Sequence, residues 1–234
     1  MSLGMSLKSS RAAPTIRALM SNTPLSSPLR ELRDRMASHL QGFTPIAVDD
    51  EALRRAAVAI VVVASTTDSN CAEFLLTRRG GQMRRHSGQW ALPGGRTDGD
   101  ESASQTARRE LAEELGVELG EDDVLGVLDD FPTRSGFAVT PVVIWGGRID
   151  VMRPDPEEVE AVYRIPLSDL EHADVPQLES IPESCRPVLS IPFASLNQTV
   201  YAPTAAMIYQ FREVALHGRA TRVADYEQPV FAWR

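Results

Sequence analysis

The chain has 234 residues, of which 43% are hydrophobic and 24% charged, and its 32 acidic and 24 basic side chains give a net charge of −8. This is an ordinary globular composition, which excludes a wholly disordered, collagen-like or coiled-coil chain. The length corresponds to one or two domains and suffices for a large core without disulfide bonds. The acidic balance argues against a general nucleic-acid-binding protein.

The sequence shows no signal for a membrane or an oxidising compartment. The longest apolar run, residues 56–64, is too short to cross a bilayer as a helix. The N-terminus lacks the apolar core of a secretory signal. Only two cysteines are present, Cys71 and Cys185, a usage typical of reduced thiols in a cytosol-like compartment. We therefore expect a cytoplasmic protein with no membrane partner.

The chain divides into four parts by composition. Residues 1–25 are basic and rich in serine, which predicts a disordered leader. A mitochondrial transit peptide has a similar composition, and a repeated Met-Ser-Leu also fits a cloning-derived start, so its origin stays open. A helical extension over 26–48, a main domain over 49–220 and a tail over 221–234 follow. The aromatic end of the tail suits contact with a partner subunit, which leaves a homodimer open.

Hydrophobic periodicity predicts strands and helices without regular alternation along the chain. An amphipathic helix is expected over 29–40, and the β-branched apolar run over 56–65 predicts a buried strand. Glycines at 94–95 and 99 indicate a loop. Further strands are predicted at 73–77, 124–131, 138–145 and 159–165, and further helices at 102–115 and 203–216. This order favours an α/β protein of the α+β type, with helices packed on a mixed sheet.

Three glutamates share one arc of the helix predicted over 102–115. At 100° per residue, Glu114 lies about 40° to one side of Glu110 and Glu113 about 60° to the other. Like charges at these spacings repel each other, and acidic residues near a helix C-terminus oppose the helix dipole. A solvated acidic face is one interpretation and a bound cation is the other. Oxygen ligands alone, without His or Cys at zinc-ligand spacing, favour Mg²⁺ or Mn²⁺.

The segment around these glutamates favours the cation. It contains a glycine, five residues, a glutamate, seven residues, Arg-Glu, an aliphatic residue, any residue, Glu-Glu, any residue, a glycine and an aliphatic residue. It therefore resembles, at every position, the Nudix box of the Nudix hydrolases. The matching residues are Gly95, Glu101, Arg109, Glu110, Leu111, Glu113, Glu114, Gly116 and Val117.

The resemblance implies a fold and a set of metal ligands for residues 49–220. The fold is a mixed β-sheet sandwiched between α-helices, and the chemistry is hydrolysis of a nucleoside diphosphate linked to another group. Glu110 and Glu114 are then the first metal ligands. Glu113 is a third ligand or the general base, and Glu101 and the carbonyl of Gly95 complete the ligand set from the loop.

Two further residues are catalytic candidates by the same resemblance. Arg109 is expected to orient a carboxylate of the loop, with an ordinary surface salt bridge as its other interpretation. Glu158 lies in an acidic segment that opens a predicted strand, where some Nudix enzymes recruit their general base. An exposed strand entry is the alternative for Glu158.

The segment just before the box resembles a second signature, that of the coenzyme A diphosphatase branch. The matching residues are Leu75, Leu76, Thr77, Arg79, Arg84, Gly88, Pro93, Gly94 and Gly95, and Gly80 and Leu92 stand where the pattern has Ser and Phe. Arg79 and Arg84 are suited to bind phosphate groups. Gly94 would let the substrate diphosphate approach the backbone closely.

These resemblances imply Mg²⁺- or Mn²⁺-dependent hydrolysis of coenzyme A or an acyl-coenzyme A. The products would be 4′-phosphopantetheine, free or acylated, and adenosine 3′,5′-bisphosphate. The alternative within the enzyme class is a Nudix hydrolase of another nucleotide, such as ADP-ribose, NADH or a nucleoside triphosphate. A Nudix domain that senses a nucleotide without turnover is the alternative outside it. In each case the partner is a small nucleotide and not a nucleic acid.

Overall fold

The computed structural model describes residues 24–80 and 89–233. The leader prediction for 1–23 and the position of Arg84 lie outside the described residues. The helices are α1 (Ser27–Gln41), α2 (Ala103–Leu115) and α3 (Thr204–Phe211), and α3 continues into a π-helical turn (Arg212–Leu216). The strands are β1 (Arg54–Ala64), β2 (Ala72–Arg79), β3 (Trp90–Ala91), β4 (Gly94–Arg96), β5 (Val124–Val127), β6 (Phe131–Pro132), β7 (Phe137–Gly147), β8 (Val159–Pro166), β9 (Gln177–Glu179), β10 (Val188–Phe193) and β11 (Gln198–Tyr201).

The first eight strands form one mixed sheet around β1. Strand β7 runs parallel to β1 along its whole length, while β2 and β4 are antiparallel to it. β2 pairs with β1 only at the far end, from Val62 to Ala64, and β4 pairs only with the near end, from Ala56 to Val58. Strands β1 and β2 therefore diverge away from their paired end, and β3 and β4 fill the space between them.

The two faces of this sheet are covered by different helices. Alternate side chains of β1 point to opposite faces because successive residues of a strand alternate. Ala57, Ala59, Val61 and Val63 pack with Leu111 and Leu115 of α2. Ala56, Ile60 and Val62 belong to the larger core that contains Leu29 and Met36 of α1 and Ile208 and Phe211 of α3. The sandwich of helices about a mixed sheet confirms the predicted fold class.

Helix α2 has defined signals at both ends. Ser102 and Gln105 form a capping box, in which each side chain bonds the backbone N–H of the other residue. The helix ends at Gly116, whose φ of 65° is in the left-handed region that favours glycine. The helix is therefore fixed both along its axis and in rotation, which determines where its glutamates point.

The structure differs from the sequence prediction at three places. Gly94 and Gly95, predicted as a loop, lie in β4, because their backbone pairs with β1. The single strand predicted over 124–131 is divided into β5 and β6, and the register shifts before Gly126. A Cβ at Gly126 would lie 2.9 Å from the Cβ of Leu40, so α1 packs directly on this irregularity. The three-stranded sheet of β9, β10 and β11 was not predicted.

The C-terminal tail packs on its own chain. Glu227 forms a bridge with Val188 of β10, and its buried carboxylate accepts hydrogen bonds from Arg134 and Ser184. Phe231, although 63% exposed, contacts Tyr201 edge-on. Within the described residues, no helix combines the length and apolar character needed to span a bilayer.

Candidate functional site

Arg109 on α2 gathers the polar groups of the box. Its guanidinium donates two hydrogen bonds to Glu101, 2.9 and 3.1 Å long, and one each to Glu110 and Glu113. It also donates to the carbonyl of Arg96, so it joins α2 to the end of β4. The side chain is only 25% exposed. An ordinary surface salt bridge, the other interpretation of Arg109, does not describe five such contacts.

Glu101 is held by bonds to both carboxylate oxygens. Besides the two bonds from Arg109, it accepts hydrogen bonds from the Thr106 hydroxyl and the Asp98 backbone N–H. These donors, Arg109 first, lower the pKa of Glu101 to about 2. Both oxygens are therefore engaged within the loop and the first turns of α2. This geometry favours a positioning role for Glu101 over the direct metal ligation expected from the sequence.

Glu110 lies directly against Gly95. A Cβ built on Gly95 would lie 2.4 Å from Oε1 of Glu110, so any larger residue there would displace this carboxylate. Burial is the first cause that raises the pKa of Glu110, and the neighbouring Glu113 and Glu158 add to it, while Arg109 opposes the shift. The Glu110 carboxylate therefore occupies the space that a side chain at position 95 would fill.

The register of β4 distinguishes the two glycines. Ala59 N–H bonds the carbonyl of Pro93 at 2.7 Å, and Thr97 N–H bonds the carbonyl of Arg55 at 3.1 Å. Hydrogen-bonded pairs alternate along an antiparallel ladder, so Gly95, which lies midway and opposite Ala57, directs its peptide groups at β1.

Gly94 has the opposite orientation. By the same alternation its N–H and carbonyl point away from β1, and its N–H bonds the carboxylate of Glu114. A Cβ at Gly94 would lie 2.3 Å from the carbonyl oxygen of Ala57. Of the two backbone carbonyls, the one at Gly94 therefore faces the glutamates, whereas the sequence prediction placed this role on Gly95.

Glu114 is the most deeply buried carboxylate of the group. The residue is 6% exposed, and burial is the main cause that raises its pKa to about 8. Glu110 and Glu158 raise it further, while Arg79 and the Gly94 N–H oppose the shift. The ionised form of Glu114 is therefore unfavourable unless more positive charge comes close to it.

The remaining candidates approach from two other elements. Arg79 at the end of β2 lies close enough to Glu114 to influence its ionisation. Glu158 is exposed, and its loop is fixed because Asp155 N–H bonds the carbonyl of Glu114 at 2.9 Å. Glu113 has a side chain that is 60% exposed and accepts a hydrogen bond from Arg109. Glu110, Glu114, Glu158, Arg79 and Gly94 are thus brought together, and Glu113 stands at their edge.

The donor set suits a hard divalent cation, although the side chains do not enclose one as they stand. Within residues 24–80 and 89–233, no three His, Cys, Asp or Glu side chains converge closely enough to hold an ion. Glu110 and Glu113 are instead turned towards Arg109. The buried Glu114 carboxylate, the neighbouring Glu110 and the outward Gly94 carbonyl supply oxygen donors of the kind that Mg²⁺ and Mn²⁺ bind.

The profile of the NUDIX domain family matches residues 53–184, more than half of the chain. The chain belongs to the Nudix family. It is 38% identical over 117 residues to the Nudix hydrolase NudL of Pectobacterium atrosepticum, which covers 50% of this chain and 59% of the relative. NudL of Cronobacter sakazakii is 34% identical over 157 residues, 64% of this chain and 74% of the relative. Among solved structures, a MutT/nudix family protein from Enterococcus faecalis is similar over 80% of this chain and 73% of that one, with a TM-score of 0.45 and 15% identity.

Membership of the Nudix family confirms the family resemblance drawn from the box. The curated relatives are named Nudix hydrolases, and the chain spans only 59% of the length of the first of them. The finer assignment to the coenzyme A branch stays a prediction, as do the individual residue roles. Sequence reasoning did not find Thr106, which supports Glu101 from a fully buried position on α2. Thr106 lies on the buried arc of α2 between apolar positions, and nothing in the local sequence predicts that its hydroxyl bonds Glu101.

Proposed function

We propose that this Nudix protein hydrolyses the diphosphate of coenzyme A or of an acyl-coenzyme A. The proposal rests mainly on one observation: Arg79, a residue of the upstream signature, and Glu110 both lie close to Glu114 of the box. The products would be 4′-phosphopantetheine, free or acylated, and adenosine 3′,5′-bisphosphate.

The metal site of this proposal is made of Glu110, Glu114 and the carbonyl of Gly94. A bound Mg²⁺ or Mn²⁺ would neutralise the diphosphate and lower the pKa of an attacking water. Because Gly95 has no side chain, the Glu110 carboxylate has room to lie beside β4. Glu101 and Arg109 hold the loop and the first turns of α2 in register with β4.

The other residues act directly on the substrate in this proposal. Arg79 contributes positive charge to a diphosphate that lies beside Gly94, and guanidinium suits phosphate oxygens. Glu158 accepts a proton from the attacking water, since it is exposed and stands close to Glu110 and Glu114. Glu113 is the alternative base, at the edge of the group.

The test is product analysis by mass spectrometry in ¹⁸O-labelled water with Mg²⁺. Coenzyme A, acetyl-coenzyme A, ADP-ribose, NADH and a nucleoside triphosphate form the panel. The proposal expects 4′-phosphopantetheine from coenzyme A, with the label on one of the two products. Glu110→Gln and Glu114→Gln should each lower kcat by at least about 100-fold, whereas Glu118→Gln, just beyond α2, should leave it unchanged.

Two results would contradict the proposal in different ways. Turnover of ADP-ribose or NADH in preference to coenzyme A would give the chain another Nudix substrate. Tight nucleotide binding without Mg²⁺-stimulated turnover of any panel member would instead identify a sensing domain.

A further inference from the structure

Two arginines lie against one aromatic ring at the end of the sheet. The guanidinium carbon of Arg54 is 4.0 Å from the centre of the Phe137 ring, and that of Arg96 is 5.4 Å away. Arg54 also donates a hydrogen bond to the carbonyl of Ser135. Among the described residues, neither guanidinium has a carboxylate within salt-bridge distance.

In this lack of a carboxylate, Arg54 and Arg96 differ from two other arginines with similar ring contacts. Arg134 and Arg222 also lie over aromatic rings, and each of them pairs with a buried carboxylate, Glu227 and Asp129 respectively. Arg55, next to Arg54, pairs with Asp130. Two like charges held near each other without an acid repel, and an anion placed between them removes the repulsion.

The register places these arginines at the ends of β1 and β4, on the face of the sheet opposite to α2. Arg54 pairs with Phe137 across β1 and β7, and Ala56 pairs with Arg96 across β1 and β4. Residues paired in register point to the same face, so Arg54, Arg96 and Phe137 share one face of the sheet. Arg96 directly follows Gly95, and its carbonyl is fixed by Arg109.

The same face carries partly exposed apolar groups at this end of the sheet. Val58, which pairs with Gly94, and Trp90 and Tyr163, which contact each other edge-on, all pack on the core of that face while remaining partly open to solvent. Such a surface suits the flat base of a nucleotide. The arginines stand at one end of it.

We propose that Arg54 and Arg96 form a binding site for a phosphate monoester of the substrate, separate from the diphosphate site. In coenzyme A this group is the 3′-phosphate of the adenosine, so the inference rests on the function proposed above. Two guanidiniums present several N–H donors in planes that match phosphate oxygens. Phe137 holds both side chains in place through contact with their charged faces.

The test compares ligands that differ only in this phosphate. Adenosine 3′,5′-bisphosphate and AMP are titrated into the full-length protein by calorimetry, without metal and without turnover. In parallel, kcat/KM is measured for coenzyme A and 3′-dephospho-coenzyme A with Mg²⁺. Arg54→Gln and Arg96→Gln are the variants, and Arg33→Gln on α1, whose guanidinium lies 3.6 Å from the carboxylate of its neighbour Asp34, is the matched control.

The proposal expects the wild-type protein to bind the bisphosphate at least about tenfold more tightly than AMP, the effect of one charged hydrogen bond. Each variant should lose most of that preference and keep its affinity for AMP within about twofold. In kinetics, the loss should fall on coenzyme A and spare the dephosphorylated substrate.

Three outcomes overturn the proposal: equal wild-type affinity for the two ligands, equal loss of affinity for both ligands in the variants, or a preference that survives in both variants. If wild-type protein prefers the bisphosphate but turns over neither form of coenzyme A, the proposed substrate fails while the phosphate site stands.

Discussion

Replacing Glu114 with glutamine should stabilise the protein while abolishing its activity. In the unfolded chain this carboxyl loses its proton near pH 4.5, whereas in the folded protein burial raises its pKa to about 8. The stability of the folded state therefore falls as the pH rises from 4.5 to 8 and is constant above that. At about 1.4 kcal/mol per pH unit, the loss reaches about 3 kcal/mol by pH 7.

Glutamine has nearly the same shape, keeps an oxygen for the Gly94 N–H and never ionises. In a chelator, Glu114→Gln should thus raise the free energy of unfolding at pH 7 by about 1–3 kcal/mol, where the lower figure allows for relaxation around the charge. For a protein of this size the gain corresponds to a rise of about 3–10 °C in Tm. Activity should fall at the same time, because a ligand of the proposed metal has been removed.

The assay is urea denaturation in EDTA at pH 4.5 and pH 8, with Glu118→Gln as the matched control. The difference between variant and wild type should be small at pH 4.5 and largest at pH 8. Adding Mg²⁺ should stabilise the wild type much more than the variant. A variant that is less stable at both pH values, or a difference that does not change with pH, would refute the reasoning.

Three other substitutions test the remaining parts of the structure. Arg109→Lys should lower kcat at least about tenfold, because an ammonium cannot make the paired bonds to Glu101; steady-state kinetics would measure it. Gly95→Ala should lower kcat by a similar factor, since the added Cβ would collide with Glu110. Glu227→Gln should cost about 1–2 kcal/mol at pH 7 by urea denaturation. Hydrogen bonds lower the pKa of Glu227 to about 2, so the stability it provides is complete above pH 4.5 and is lost as the pH falls through 2.

Each of these substitutions has a matched control. Arg108→Lys changes the neighbouring arginine, which bonds Leu119 and Glu121 away from the site. Gly120→Ala adds a Cβ that has room, with its nearest neighbour at 3.6 Å, and Glu179→Gln alters an exposed carboxylate. An equal change in kcat or in the free energy of unfolding in a variant and its control would show that the contact removed by the variant is not the cause.

The sequence predicted those parts of the fold in which local pattern and tertiary packing agree. The buried strand at 56–65 became β1, and α2 follows its predicted limits, because its capping residues and left-handed glycine act locally. The glycine pair before α2 was misread as a loop, since glycine favours turns locally and only pairing with β1 makes it a strand. The division at Gly126 depends on Leu40, which is distant in sequence.

The candidate site was predicted in composition but not in geometry. The spacing of Glu110 and Glu114 placed both on one arc of a helix, and the structure has them close to each other. The orientation of the Gly94 carbonyl depends on strand register, which no local pattern specifies. Asp98 and Thr106 likewise both donate to Oε2 of Glu101, and the sequence gives no sign that these residues turn towards Glu101.

The segment 81–88 connects Gly80 to Gln89, and the structure holds both of its ends in place without it. Arg79 N–H bonds the carbonyl of Gln89 at 3.0 Å, and the adjacent Gly80 is anchored to the carbonyl of Glu158. Beyond Gln89, β3 is bound to β2 and β4 to β1, so the glycines keep their place whatever joins 80 to 89. A change in the length or charge of this connection should therefore leave Gly94 and Gly95 in register with β1.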